Sequence, residues 1–218
     1  MPSKVSVIVP TYNEALNIRD CLQSVLLAGA DEVILVDADS SDSTVAIGQE
    51  FPKTIILISP KGRAKQLNQG AASASGEYLW FLHADSVVSP NSISLIKDIL
   101  LRQEIALGAF SFALNSAKLW ARIVEFGVNL RCRVFNLPYG DQGFFIRAKT
   151  FQEVGRFLET EKIEDLEFWL RVRSEHQTIV LREKLLTSAR KWEQRGVLRN
   201  TLRNLYLLFE FVLRKKNI

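Results

Sequence analysis

The stretch Val5-Ser-Val-Ile-Val-Pro-Thr-Tyr-Asn-Glu14 begins as a β-branched apolar run and stops at Pro10, which has no N–H to give a sheet. An apolar run bounded this way predicts a buried strand over 5–10. Asn13 stands in an N-cap position before 15–27, where Leu16, Leu22, Val25 and Leu26 keep a helical period and Gly29 provides the stop. Glu32-Val-Ile-Leu-Val36, Thr54-Ile-Ile-Leu-Ile58 and Tyr78-Leu-Trp-Phe-Leu82 repeat the strand pattern, with helices predicted over 44–51 and 63–75 between them. Strands alternating with helices at this spacing indicate βαβ units, hence an α/β fold with a mostly parallel central sheet flanked by helices. In such sheets ligands bind at the carboxyl ends of the strands. That singles out 11–14, 37–42, 61–65 and 83–86.

Beyond Pro90 the pattern loosens. A helix is predicted over 91–102, a strand over 108–114, a mostly apolar segment with arginines over 117–136, and a short strand over 143–147. A short helix over 151–154, a helix over 164–174 and a strand over 178–181 follow. No repeat or Gly/Ser linker interrupts the chain, so one domain over 1–196 is expected, with 197–218 as a C-terminal helix of that domain or of an interface.

The 218 residues are 47% hydrophobic and 24% charged, which excludes a disordered or fibrous chain. Two cysteines, Cys21 and Cys132, do not make a disulfide scaffold and fit a reducing, cytoplasmic setting. The first residues lack the basic start and apolar stretch of a signal peptide, and no uncharged apolar run is long enough to span a bilayer. Net charge is +4, but 182–218 alone hold ten Lys/Arg and three Glu. A solvated helix face or an anionic partner accounts for such a tail; nucleic acid is not the expected partner.

Four clusters carry chemistry. His83-Ala84-Asp85 follows a predicted strand, where alternation sends His83 and Asp85 to one side, able to hold a divalent metal. An ordinary strand-end turn explains it as well. Asp37, Asp39 and Asp42 follow a second strand; Asp42 or Ser41 caps the next helix, which leaves Asp37 and Asp39 unexplained. Lys61, Arg63 and Lys65 surround Gly62 at a helix start, a phosphate-facing arrangement unless the charges are merely solvated. Finally Gly140-Asp141-Gln142-Gly143 and Glu164-Asp165 supply carboxylates, one of which can serve as general base or simply favour a helix dipole.

Taken in this order the motifs resemble a family 2 glycosyltransferase of the GT-A fold. Within it, the chain looks most like the small single-domain bacterial subgroup marked by Gly-Arg-Ala-x-Gln, His-Ala-Asp and Gly-Asp-Gln-Gly. The resemblance spans about residues 4–200. It implies that Pro10, Thr11, Tyr12 and Glu14 cradle a nucleotide, with Asp37 on its base, Arg63 or Lys65 near the diphosphate and Ala84 alongside. It implies Asp85 and His83 as holders of Mg²⁺ or Mn²⁺, Asp165 with Glu164 as the catalytic base motif, and Asp141, Gln142 and Trp192 on the acceptor side. His83 replaces the family's first metal-motif Asp. Arg190-Lys-Trp192 resembles the family's Gln-x-x-Arg-Trp without its Gln, which argues against a processive polymerase. The implied reaction is metal-dependent, inverting transfer of a sugar from a nucleotide-diphosphate donor, UDP-linked, to an acceptor hydroxyl. A nucleotidyltransferase and a non-catalytic nucleotide-sugar-binding protein are the alternatives.

At the end of the chain Leu202, Leu205, Tyr206, Phe209, Val212 and Leu213 share one helical face, flanked by Arg199, Arg203, Arg214, Lys215 and Lys216. This predicts a helix that lies on an anionic membrane, beside a lipid-linked acceptor on the cytoplasmic side, or one that packs on its own domain or on a second copy.

Overall fold

The structure, a computed structural model, describes residues 3–160 and 163–197 together with 199, 201, 203 and 206. The apolar stripe expected over 202–213 lies outside the described residues, apart from Tyr206, which is exposed.

Eight strands form one sheet: β1 (Val5–Thr11), β2 (Glu32–Asp37), β3 (Thr54–Ile58), β4 (Tyr78–Phe81), β5 (Ser86–Val87), β6 (Ile105–Asn115), β7 (Phe145–Arg147) and β8 (Gln177–Ser188). Their order across the sheet is β3-β2-β1-β4-β7-β6-β8-β5. The first four pair in parallel, as the sequence predicts; β7 then runs antiparallel to both β4 and β6. The sheet is thus mixed, with four of its seven strand pairings parallel. β8 is longer than the expected 178–181 because it follows β6 in parallel to Ser188. The charged step at Arg182-Glu183 falls where the register shifts between Ala109 and Ser111, so a bulge absorbs the residues that break the apolar pattern.

Alternation along the strands feeds two cores. Val5, Val7 and Val9 of β1 and Val33 and Leu35 of β2 meet α1 (Ile18–Leu27) and α4 (Ser92–Leu100) through Ile18, Leu22, Val25, Ile93 and Ile96. Ile8, Ile34 and Val36 point the other way, onto α3 (Arg63–Ser73) and α7 (Glu164–Glu175) through Leu67, Ala71, Phe168 and Trp169. Gly70 sets the fit of α3: a Cβ there would lie 2.4 Å from Ile8 Cγ2 and 3.0 Å from Val36 Cγ2. The remaining helices are α2 (Thr44–Gln49), α5 (Leu119–Phe135), α6 (Ala148–Glu153) and α8 (Arg190–Arg195).

α1 begins three residues later than the sequence suggests, and Asn13 is not its cap. Asn13 adopts a left-handed φ of 53° and its side chain accepts the Ser41 N–H at 2.9 Å. The chain therefore turns through 12–17 before a helix can start. Asp42 does serve the next helix, accepting the Thr44 N–H at 2.9 Å with one carboxylate oxygen and the Ala15 N–H at 3.0 Å with the other.

Candidate active site

The carboxyl ends of β1, β2 and β4 lie side by side, with Thr11 in register with Asp37. Gln66, on the first turns of α3, donates from Nε2 to the Thr11 carbonyl at 2.9 Å and the Val36 carbonyl at 2.8 Å. It is buried, and it ties the helix to both strand ends. It is the last residue of the Gly-Arg-Ala-x-Gln motif, to which the sequence assigned no role; a Gln in the buried stripe of an amphipathic helix is the kind of polar residue that must find partners.

Asp37 is fully enclosed. Its carboxylate accepts the Thr11 hydroxyl at 2.8 Å, the Ser40 N–H at 2.7 Å and the Ser40 hydroxyl at 2.6 Å. Expected on a nucleobase, it also knots the β1 and β2 loops, with both its oxygens bonded from within. Tyr12 is 45% exposed, and Lys61 Nζ lies 3.5 Å from its ring centroid. Pro10 is half-buried and Lys65 exposed. Glu14 accepts from Asn17 Nδ2 at 2.7 Å and from Arg190 Nη2 at 3.2 Å. That contact joins the first loop to the start of α8.

The Gly-Asp-Gln-Gly segment forms a 3₁₀ turn (Gly140–Gln142), which meets the first turns of α3 and α7. Gly140 donates its N–H to Asp165 Oδ2 at 2.7 Å, and the Leu166 N–H reaches Asp165 Oδ1 at 2.8 Å. The Arg63 guanidinium bonds Glu164 and lies 3.4 Å from Asp165 Oδ2. Arg63, expected on a diphosphate, therefore also braces the Glu-Asp motif. Burial works against its charge, but Asp165 and Glu164 outweigh that and hold its pKa above the ordinary value. Glu164 is pushed up by burial, against the pull of Arg63.

Asp141 is the most perturbed carboxyl of the site. Burial first, then the charge of Asp165, push it up to about 6; Arg131 and Arg63 oppose this, and Asp85 adds to it. Its Oδ1 is shielded and has no hydrogen-bond partner among the described residues. The cation that faces this turn was not foreseen: Arg131, on α5, stacks 3.7 Å from the centroid of Tyr139 and donates to the Leu137 carbonyl at 3.0 Å.

Four expectations need correction. Gln142 is fully buried: Nε2 donates to the Phe110 carbonyl at 2.7 Å, and Oε1 accepts from Tyr139 N at 3.2 Å and Cys132 Sγ at 3.2 Å. Its amide is used up inside the protein, so it shapes the turn and does not face an acceptor. Trp192 packs with Phe112, Leu114, Ala121 and Ala189 in a small core of its own, and Ala84 belongs to the main core. Lastly, His83 and Asp85 line different cavities. The chain leaves β4 in a turn, with the Ser86 N–H on the His83 carbonyl at 3.1 Å, so strand alternation ends before it can align them. His83 lines a cavity of about 10 Å³ with Arg63, Gly140 and Asp165. Asp85 lines a separate one of about 60 Å³ with Asn17, Asp20, Thr187 and Ser188.

Among the described residues no group of three or more His, Cys, Asp and Glu side chains forms a complete metal site. Asp85 is buried, and its charge is felt at Asp141, whose shielded Oδ1 is orphaned. Two neighbouring buried carboxylates with an unsatisfied oxygen fit a Mg²⁺ or Mn²⁺ that draws its remaining ligands from phosphate.

The sequence model of a family described as Glycosyl transferase family 2 matches residues 6–158. Curated relatives include a poly-beta-1,6-N-acetyl-D-glucosamine synthase of Staphylococcus epidermidis, 35% identical over 95 residues, covering 40% of this chain and 23% of the relative. A dolichol-phosphate mannosyltransferase of Pyrococcus furiosus is 36% identical over 115 residues, covering 49% of this chain and 33% of the relative. The chain thus spans about a quarter to a third of the length of these relatives. Among solved structures, the mannosyltransferase PcManGT of Pyrobaculum calidifontis, in complex with GDP-Man and Mn²⁺, superposes with a TM-score of 0.68 at 17% identity, over 85% of this chain and 57% of that one. S. aureus TarS 1-349 with UDP-GlcNAc gives 0.66 at 20% identity, over 85% and 58%. Both share the GT-A fold seen here.

Proposed function

The chain belongs to glycosyl transferase family 2, and we propose that it transfers a sugar from a nucleotide-diphosphate donor to an acceptor hydroxyl, with inversion at the anomeric carbon. The observation that carries this reading is the junction of Asp165, Gly140 and Arg63 beside the carboxyl ends of β1, β2 and β4. Asp165, oriented by two backbone N–H groups, takes the proton of the acceptor hydroxyl. The acceptor oxygen then attacks C1 with its electron pair as the bond from C1 to the diphosphate oxygen breaks, and the nucleoside diphosphate leaves. Attack opposite the leaving group inverts C1. Arg63 holds Glu164 and Asp165 in place and puts positive charge beside them. Thr11, Tyr12, Lys61 and Glu14 form the rim on which the nucleotide lies, and the Asp37 knot fixes that rim.

A divalent cation held by Asp85, with Asp141 beside it, supplies Lewis-acid stabilisation of the departing diphosphate when bound. A UDP-linked donor follows from the motif resemblance; the similar folds crystallised with GDP-Man and UDP-GlcNAc make both nucleotides worth assaying. A lipid-linked acceptor at the inner membrane face accords with the basic end of the chain and with the dolichol-phosphate relative.

Incubation with a panel of UDP- and GDP-sugars, with Mn²⁺ and with Mg²⁺, tests the reading. Release of nucleoside diphosphate, with the anomeric configuration of the product read by NMR, supports inverting transfer. Release of pyrophosphate would favour nucleotidyl transfer. Binding of a nucleotide sugar with neither product, across a broad set of acceptors, would favour a binding protein.

A further inference from the structure

α5 is apolar on the wrong side. Its inner face packs Ala121, Val124, Val128 and Cys132 against the protein, as an amphipathic helix should. Its outer face carries Leu119, Ile123, Phe126, Leu130 and Val134 at i, i+4, i+7, i+11 and i+15, and these are 76%, 64%, 69%, 47% and 62% exposed. A Cβ added at Gly127, on the same face, would meet nothing within 4 Å. Seventeen residues make a continuous apolar strip about 25 Å long. An apolar helix face of this length is normally enclosed, by protein or by lipid. No helix among the described residues is long and apolar enough to cross a membrane, so lipid would meet α5 along its side.

Charge decides the occupant. The exposed face of α5 carries Arg122 and Arg133 and no acid; the one acid of the helix, Glu125, is buried on the Leu114 N–H and Arg122. At the C-terminal end of the strip opens a cleft of about 680 Å³ between α5 and β8, with Arg133 and Arg182 at its walls beside Asn129, Asn136, Thr178 and Ser111 and without a carboxylate in its lining. A second copy docked face to face would bury these arginines with no carboxylate on the strip or in the cleft to pair with them. An anionic lipid surface matches both parts: acyl chains meet the strip, and headgroup phosphates meet the cleft.

We propose that the outer face of α5 is a docking surface for an anionic membrane, with Leu119, Ile123, Phe126, Leu130 and Val134 entering the acyl boundary and Arg133 and Arg182 taking lipid phosphate. The surface does not depend on the transfer reaction. Through Arg131 on Tyr139 and Cys132 on Gln142, the same helix braces the turn that bears Asp141, so docking here brings the candidate active site to the lipid surface.

Co-sedimentation of the full chain with vesicles tests it, using phosphatidylglycerol mixed into phosphatidylcholine, and phosphatidylcholine alone. The wild type pellets with the anionic vesicles at low salt, and weakly with the neutral ones or at high salt. I123E/F126E loses vesicle partition by about tenfold or more at unchanged melting temperature. R133Q/R182Q loses several-fold, on anionic vesicles only. Four results would overturn the proposal: a wild type that ignores anionic vesicles; I123E/F126E binding like wild type; a solution dimer that I123E/F126E dissolves; or a marked fall in the melting temperature of that variant, which would show that the chain itself covers the strip.

Discussion

Asp165 accepts the backbone N–H of Gly140 at 2.7 Å, which makes one unit of two motifs 25 residues apart. Gly140 also closes in on the carboxylate: a Cβ there would stand 3.0 Å from Asp165 Oδ2 and 3.1 Å from Asp165 Cβ. The Glu-Asp motif is thus not a helix start that happens to be acidic. Its second carboxylate is locked to the turn that carries Asp141, and Arg63 closes the arrangement from α3.

Asp165→Asn separates the two roles of this carboxylate. The amide oxygen can still accept the Gly140 N–H, so the fold and donor binding are expected to persist. The proton acceptor is gone, and turnover is expected to fall by at least ~10². Isothermal titration with the nucleotide and steady-state rates on the same preparation check this. Near-normal turnover with a lowered melting temperature would reduce Asp165 to a helix-terminus charge.

Asp141 makes stability depend on pH. Its folded pKa, about 6, is above the value of about 3.8 it has when free, so the folded state binds the proton more tightly than the unfolded one. The stability tied to that proton is fully present below pH about 3.8 and is lost as pH rises through about 6. Asp141→Asn removes the penalty. It is expected to raise the melting temperature by roughly 3–8 °C near pH 7.5 and to leave it almost unchanged near pH 4. Scanning calorimetry of both proteins across pH 4–8 reads the difference; parallel curves would place the Asp141 carboxyl outside the buried cluster.

How much of this was legible beforehand depends on whether a residue's partner is near it in the chain. The four parallel strands were, because Val5–Val9, Val33–Val36, Ile55–Ile58 and Tyr78–Phe81 are apolar runs, interrupted only by Ser6, and are bounded by turn residues. The extent of β8 was not, because Arg182 and Glu183 interrupt its pattern and only β6, some 70 residues away, holds it extended. In the site, motif order identified Asp141, Glu164 and Asp165 but not what they touch: Arg63 reaches them across about 100 residues, and Arg131 arrives on α5. His83 and Asp85 misled for a local reason. Alternation holds only while the chain is a strand, and β4 ends at Phe81.

Gly70→Ala tests whether α3 must lie this close to the sheet. The added methyl meets Ile8 at 2.4 Å, and Ile8 is fully buried and stiff at χ1. Overpacking of this kind costs about 1–3 kcal/mol, more than the ~1 kcal/mol that alanine gains over glycine in a helix. Gln66 lies one turn earlier on α3, so an outward shift lengthens its bonds to Thr11 and Val36. A lower midpoint in urea together with weaker nucleotide binding is expected. A variant as stable as wild type would mean that the helix has slack.

Asp85 and the metal give a prediction with two opposite signs. Without metal, the charge of Asp85 is the least of the causes that shift the Asp141 pKa, so Asp85→Ala lowers that pKa slightly and removes part of the penalty that Asp141 carries at neutral pH. The backbone contact of Asp85, its carbonyl accepting the Ser188 N–H at 3.0 Å, survives the substitution. With Mn²⁺ and UDP present the order reverses: the wild type gains about 2.7 kcal/mol at a hundredfold excess of ligand over its dissociation constant, and the variant gains little. His83→Ala discriminates further. His83 lines the Arg63–Asp165 cavity rather than that of Asp85, so its loss is expected to slow turnover while the Mn²⁺-dependent thermal shift stays near that of wild type. Thermal shift with Mn²⁺, Mg²⁺ or chelator, with and without UDP, reads all three proteins on one scale. A wild type whose UDP shift is the same in chelator as in Mn²⁺ would remove Asp85 from any metal role. A shift lost in His83→Ala but kept in Asp85→Ala would move the cation to the Arg63–Asp165 side of the turn.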